Sequence, residues 1–235
     1  MKRNLLLILL LFGSTSFAQE TWFSKYSDSA KLVQDANSLI TEFVSKVNTI
    51  SPVLDSQPLA ILNTKPYLIF YSPKSNRINL PIWYQVGAEQ KKFFAELAGG
   101  ESKGEEMFGY FFNGFYLPHE LGHTLQHASK RTDPNLYQNE YVANTISILY
   151  WRDVKRFQEL KRCYEFAKNV VKNLPSPVPQ GIDPIKYFNE NYSELGADPY
   201  KYGYYQFAQF IEIYEDKSLK PFAEFVTEFL SGEKK

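Results

Sequence analysis

Pro118-His119-Glu120-Leu121-Gly122-His123-Thr124-Leu125-Gln126-His127 holds all three histidines of the chain, and the first two stand in His-Glu-x-x-His order. On a helix, positions i and i+4 share one face about one turn apart, so His119 and His123 can present imidazole nitrogens to one metal ion. Glu120 then projects beside the ion and not onto it. Pro118 is tolerated at a first helical position and disfavours helical angles at Leu117, so the motif is expected to open a helix. A zinc ion held this way polarises a water and a carbonyl, while the neighbouring carboxylate takes the water's proton, which is peptide hydrolysis in outline. The bland alternative is a surface helix that happens to carry His and Glu. Two histidines are also too few, because a catalytic zinc takes three protein ligands and keeps one position for water.

The third ligand therefore decides the reading. One straight helix does not bring positions 119, 123 and 127 equally close to a tetrahedral ion, so His127 is a flanking residue. The longer three-histidine pattern fails, because Gln126 and Ser129 occupy its Gly and last His positions. A second helix supplies a better candidate. Asp133 is its expected N-cap and Pro134 its first residue, with Tyr137, Tyr141, Ile148 and Leu149 among the apolar positions that follow. Glu140 falls two turns inside, and Asn144, one turn further on the same face, can orient a ligating histidine through its amide. The rival is Glu194 with Asp198. There Pro199 biases Asp198 away from helical angles and Gly196 weakens the turn, which favours Glu140. Glu105, Glu106 and Glu165 are more simply solvated helix faces.

From Pro118 to Arg152 these residues resemble the gluzincin metallopeptidases, in which His-Glu-x-x-His lies on one helix and a Glu followed by Asp or Asn on the next. The resemblance implies a thermolysin-like, zincin-like core, with zinc on His119, His123 and Glu140, Glu120 as general base and Asn144 supporting a ligand. It also implies a strand edge before the active helix that binds substrate backbone, a placement similar to Ile78–Val86. Sixteen residues separate His123 from Glu140, and Asn stands at 144 where Asp is commoner. No Gly-x-Met-Glu-Asn exopeptidase signature is present. Such enzymes place a Tyr or His near the developing oxyanion, and every His is already assigned. The candidate is Tyr202 in Tyr200-Lys201-Tyr202-Gly203-Tyr204-Tyr205-Gln206, with Tyr204 as substitute and Gly203 allowing close backbone approach. Core or rim packing is the competing reading for each of these tyrosines.

Around this motif the chain reads as α+β and predominantly helical, with a small sheet ahead of the active helix. Ser27 to Val47 carries apolar residues at helical spacing. Tyr67–Tyr71 and Ile78–Val86 read as two strands joined by a Ser72–Asn76 turn. Helices resume from Ala88, broken at Gly99-Gly100, Thr132–Asn135, Pro175–Pro184 and Gly196–Pro199. No internal repeat or low-complexity tract interrupts residues 19–235, which read as a single domain.

The 235 residues carry 26 Lys and Arg against 26 Asp and Glu, so no basic footprint marks a nucleic-acid partner. Aromatic residues reach 17%, enough for a well-filled core with Tyr left over for clefts. Residues 1–18 read as an export signal, with Lys2 and Arg3, an apolar run from Leu5 to Phe12, and a cut after Ala18. That run is too short to cross a bilayer, and nothing later approaches a span. The expected location is periplasmic or extracellular, without stable membrane insertion after cleavage. Cys163 is alone, so no intrachain disulfide forms. The expected function is a zinc peptidase acting on a peptide or protein. The alternative, which composition does not exclude, is a non-catalytic zincin-fold protein that holds a peptide or glycan in an aromatic cleft.

Overall fold

A computed structural model of the chain describes residues 22–62 and 68–232, so the expected export signal at 1–18 lies outside the described residues. Among the described residues the chain is predominantly helical with one three-stranded sheet. Helix α1 (Ser29–Ile50) starts where the Asp28 carboxylate accepts from the Ala30 and Lys31 amides. It buries Leu32, Ala36, Leu39, Ile40, Phe43 and Val47, the three-and-four spacing of one helical face.

Strands β1 (Leu59–Leu62), β2 (Phe70–Ser72) and β3 (Arg77–Leu80) lie in the order β1-β3-β2, with β1 parallel and β2 antiparallel to β3. β1 adds to the two expected strands. Its four-residue apolar run has no alternation, so periodicity does not identify it. Of the expected Tyr67–Tyr71 strand, Tyr67 lies outside the described residues. The expected Ile78–Val86 strand ends at Leu80, because Pro81 has no N–H to continue the ladder, and Trp83–Gln85 coils into a 3-10 turn. β3 is thus central and not the edge that the resemblance implied. The edge nearest the His-Glu-x-x-His helix is β2, whose Tyr71 amide reaches Glu120.

Helices α2 (Ala88–Ala98) and α3 (Glu101–Tyr110) part at Gly99 and Gly100, which hold φ of +80° and +141°. α3 then passes through a π turn at Phe111–Phe115 into α4 (Tyr116–Ala128). Here the sequence expectation is corrected: Leu117 is helical, and Pro118 is the third residue of α4, not its first. The reason is local. Asn113 leaves helical angles (φ −110°, ψ 35°) and the Tyr116 amide reaches back to the Phe111 carbonyl, so the ladder is already opened just where Pro118 lacks a donor.

Helix α5 (Leu136–Asp153) is capped by Asn135, which accepts from the Gln138 amide, and not by Asp133 with Pro134 at the first turn. Asp133 instead accepts from the Asn135 amide, which shifts the start two residues later and places Glu140 just past the first turn. α6 (Phe157–Asn173), α7 (Pro184–Glu190), α8 (Tyr192–Ala197), α9 (Pro199–Glu215) and α10 (Phe222–Ser231) follow, with breaks at the Pro- and Gly-marked segments.

One apolar cluster runs from Phe23 to Val226 and joins α1, α4, α5, α6, α9 and α10. Its aromatic content is spent on edge-to-face contacts, such as Phe43 with Phe222 and Phe111 with Phe207. Cys163 is buried in it, with Sγ 3.7 Å from the Tyr110 carbonyl. Among the described residues no helix is long and apolar enough to cross a membrane. The site is positioned by the close passage of α4 and α5 at Gly122, where a Cβ would lie 2.9 Å from Ala143 Cα.

Candidate metal centre

His119 and His123, one turn apart on α4, and Glu140 on α5 bring one ligand atom each within 4.8 Å of one another. His119 Nε2 and His123 Nε2 are 3.1 Å apart, and Glu140 Oε2 lies 3.5 and 3.7 Å from them. A tetrahedral ion with bonds of about 2.0–2.1 Å would hold its ligand atoms about 3.3 Å apart, so the three positions fit such an ion. All three groups are mostly withdrawn from solvent: His119 is 4% and Glu140 6% exposed.

The chemistry of this donor set points the same way. His123 Nδ1 lies 2.8 Å from Gln126 Oε1, while Gln126 Nε2 donates to the Asn139 carbonyl at 2.9 Å. A carbonyl only accepts, so the Gln126 amide is oriented with its oxygen toward His123, which must donate from Nδ1. The lone pair then sits on Nε2, facing His119 and Glu140. His119 Nδ1 is likewise 2.8 Å from Asn144 Oδ1. Two nitrogen lone pairs and a carboxylate oxygen therefore converge with no donor among the three, although Gln206 Nε2 donates to the carboxylate from α9, and such a cluster calls for a cation or a proton. Without an ion, a proton is held there. Burial pulls the His123 imidazole down, but the Glu140 carboxylate outweighs it, and the pKa rises to about 9. Burial alone would raise Glu140; the two imidazoles instead hold its carboxyl well below the usual range.

Glu120 stands outside this triad. Its Oε2 accepts from the Tyr71 amide of β2 at 2.8 Å, and the residue lines a cavity of about 320 Å³. His119, Tyr202 and Gln206 line the same cavity, and Phe93, Phe94, Phe112, Tyr116 and Phe207 make its walls apolar. The Tyr202 hydroxyl accepts from Gln206 Nε2 at 3.1 Å. Burial, then the negative charge of Glu140, pushes its phenol well up, so it stays protonated at neutral pH.

The remaining sequence candidates lie elsewhere. His127 is exposed, its ring 5.9 Å from Tyr71. Glu194 pairs with Lys201, and Asp198 caps α9 by accepting from the Tyr200 and Lys201 amides. Glu106 and Glu165 both pair with Arg162, and Glu105 pairs with Lys25. Tyr204 does not line the cavity and meets Tyr205 edge-on. Gly203 makes no close backbone approach: a Cβ there would meet only the Phe207 ring, at 3.7 Å.

Sequence reasoning missed Gln126, Gln206, Gln209, Tyr116 and Tyr192. Gln126 carried a signal, since it follows His123 by three residues on one helix. Tyr116 packs edge-on against His119 at 5.6 Å, and burial, followed by the Glu140 charge, raises its phenol. Tyr192 is raised by burial and by the Glu140 charge, and it interacts with Tyr202. Neither tyrosine had a motif to mark it among 17. Comparison with protein-family models, with curated proteins and with solved structures found no match.

Proposed function

We propose that the chain is an exported, zinc-dependent peptidase of zincin-like, gluzincin type that hydrolyses peptide bonds in a peptide or protein. The observation that carries this reading is a juxtaposition. Three ligand atoms spaced for one tetrahedral ion belong to a site whose His119 lines the same apolar-walled cavity as the Glu120 carboxylate.

A zinc ion held by His119, His123 and Glu140 supplies Lewis acidity toward a water and the scissile carbonyl. The chain's own groups do the rest. Glu120, anchored through Oε2 by the Tyr71 amide, is placed to accept the water's proton and pass it to the leaving amine. Tyr202 accepts from Gln206, and its hydroxyl hydrogen, which Tyr192 also engages, can turn to the carbonyl oxygen as charge develops. The aromatic walls lower the local polarity and so strengthen these polar contacts. Asn144 and Gln126 hold the two imidazoles with Nε2 directed inward.

The test is Glu120→Gln. The variant should bind zinc with wild-type stoichiometry yet lose chelator-sensitive cleavage of a broad peptide library, whereas His119→Ala and Glu140→Ala should lose the ion too. Cleavage by Glu120→Gln at the wild-type rate refutes the mechanism. The aromatic cavity also suits a second reading, a protein that holds a peptide or glycan without turnover; ligand recovered intact from the zinc-loaded wild-type chain would favour it.

A further inference from the structure

The two imidazoles are oriented by different parts of the fold. His123 is held from within α4, by Gln126. His119 is held by Asn144 of α5, and Asn144 is an ambiguous partner: rotated by half a turn, its amide would present NH2 to His119 in place of oxygen. Two glutamines on one face of α9 remove that ambiguity. Asn144 Nδ2 donates to Gln206 Oε1 at 3.2 Å and to Gln209 Oε1 at 2.9 Å. Each glutamine is itself oriented by a group that only accepts. Gln209 Nε2 donates to the Tyr137 carbonyl at 3.2 Å, and Gln206 Nε2 donates to Glu140 Oε2 at 2.8 Å. Asn144 and Gln209 are 0% and 2% exposed, so water offers them no alternative partners, and Gln206, at the cavity wall, is held by Glu140.

We propose that Gln206 and Gln209 of α9 are positioning residues of the metal centre: they lock the Asn144 amide with its oxygen toward His119, and Gln206 also holds the Glu140 carboxylate in place. This inference rests on the metal reading above. With Oδ1 facing His119, the imidazole must donate from Nδ1, which leaves the Nε2 lone pair for the ion. The same network explains Asn at position 144. An aspartate would accept from His119 equally well, but it has no hydrogen for either glutamine oxygen. Gln206 could turn its amide round only by withdrawing its donor from Glu140, and Gln209 only by withdrawing its donor from the Tyr137 carbonyl. Asn144 and the glutamine pair are thus matched in polarity, and the centre is complete only when α9 is docked.

That matching predicts a reversal of sign which a merely structural role for α9 does not produce. The experiment compares four chains: wild type, Asn144→Asp, the double variant Gln206→Met/Gln209→Met, and the three substitutions together. Each is purified metal-free, and its zinc affinity is measured by competition with a chromogenic chelator. The double variant, which keeps side-chain volume, frees Asn144 to rotate and should bind zinc about 10–100-fold more weakly. Asn144→Asp alone should also weaken binding, because its carboxylate faces two amide oxygens. Combined, they should bind zinc more tightly than either the double variant or Asn144→Asp, since a carboxylate accepts from His119 in either rotation and no longer opposes the glutamines, while the lost Gln206 contact to Glu140 keeps the combined chain short of wild type. Near-UV circular dichroism reports folding, and the single variants Gln206→Met and Gln209→Met carry the same comparison should the double variant not fold. Wild-type affinity in the double variant, or losses that add in the combined chain, overturns the proposal while leaving the metal centre standing. A wild-type chain that takes up no zinc overturns both.

Discussion

Gly122, between the two motif histidines, sets how near α5 can come to α4, and Gly122→Ala measures what that approach is worth. The added Cβ would sit 2.9 Å from Ala143 Cα and 3.3 Å from Ala143 Cβ. Ordinary carbon contacts begin near 3.5 Å, so the helices must part by about 0.6 Å or more at this crossing. Glu140 lies one turn before Ala143 on α5 and moves with it. Metal-ligand distances tolerate only about 0.2 Å, so the carboxylate would be carried out of range of an ion held on the two histidines. Stability is the poorer readout, because overpacking costs about 1–3 kcal/mol while replacing a helical Gly by Ala returns about 1 kcal/mol. Zinc affinity is the better one, with a loss of about 10–100-fold expected by the scale of other perturbations that misplace ligands. Ala143→Gly should rescue little, because the nearest obstructing atom is the backbone Cα. Affinity within twofold of wild type in Gly122→Ala, by chelator competition, would show that helix separation does not govern the site.

Zinc binding should be linked to protons through His123, whose pKa in the metal-free chain is raised to about 9. Isothermal titration in two buffers should show release of about one proton per ion near neutral pH and none well above pH 9, with affinity rising as pH rises through that range. The same shift makes the metal-free fold bind this proton more tightly than the unfolded chain, whose ordinary value is 6.5. Its stabilising contribution is therefore full below that value and lost as pH rises through about 9, which denaturant midpoints at several pH values would report. Tyr202→Phe should leave zinc stoichiometry unchanged and lower kcat by about 10²-fold with little change in KM; an unchanged kcat would remove Tyr202 from the chemistry. Asn135→Ala deletes the α5 cap and should cost about 1 kcal/mol, lowering Tm by about 2–4 °C, as read by thermal melts.

Much of the fold was legible because it depends on local rules. Apolar spacing places α1, and the Gly99-Gly100 and Asp198-Pro199 signals mark real helix boundaries. The errors share a cause, namely competition that a single segment does not reveal. Asp133-Pro134 has the composition of a helix start, but Asp133 is bound to Asn135 and Asn139, and Asn135 takes over as cap. Ile78–Val86 is rich in strand-forming residues, but Pro81 ends the ladder at Leu80. Pro118 looked like a helix start because nothing in the letters announces that Phe111–Phe115 will widen into a π turn.

The candidate ligands and their supports were legible to different degrees, and the difference is physical. His119, His123 and Glu140 stand out because their chemistry limits the residue types that can serve and helix geometry limits their spacing. An amide that orients a ligand is under weaker constraint: it needs only the right polarity at the right place, which a distant element can provide. Gln206 and Gln209 lie 62 and 65 residues beyond Asn144 and read as ordinary polar positions in an aromatic helix. Only when α9 is seen packed on α5 does the reason for Asn at 144 emerge, since donors are required there and aspartate has none. On the proposed reading, Asn at 144 is the expected consequence of supporting His119 with a buried chain of amides, in which every donor and acceptor must be matched.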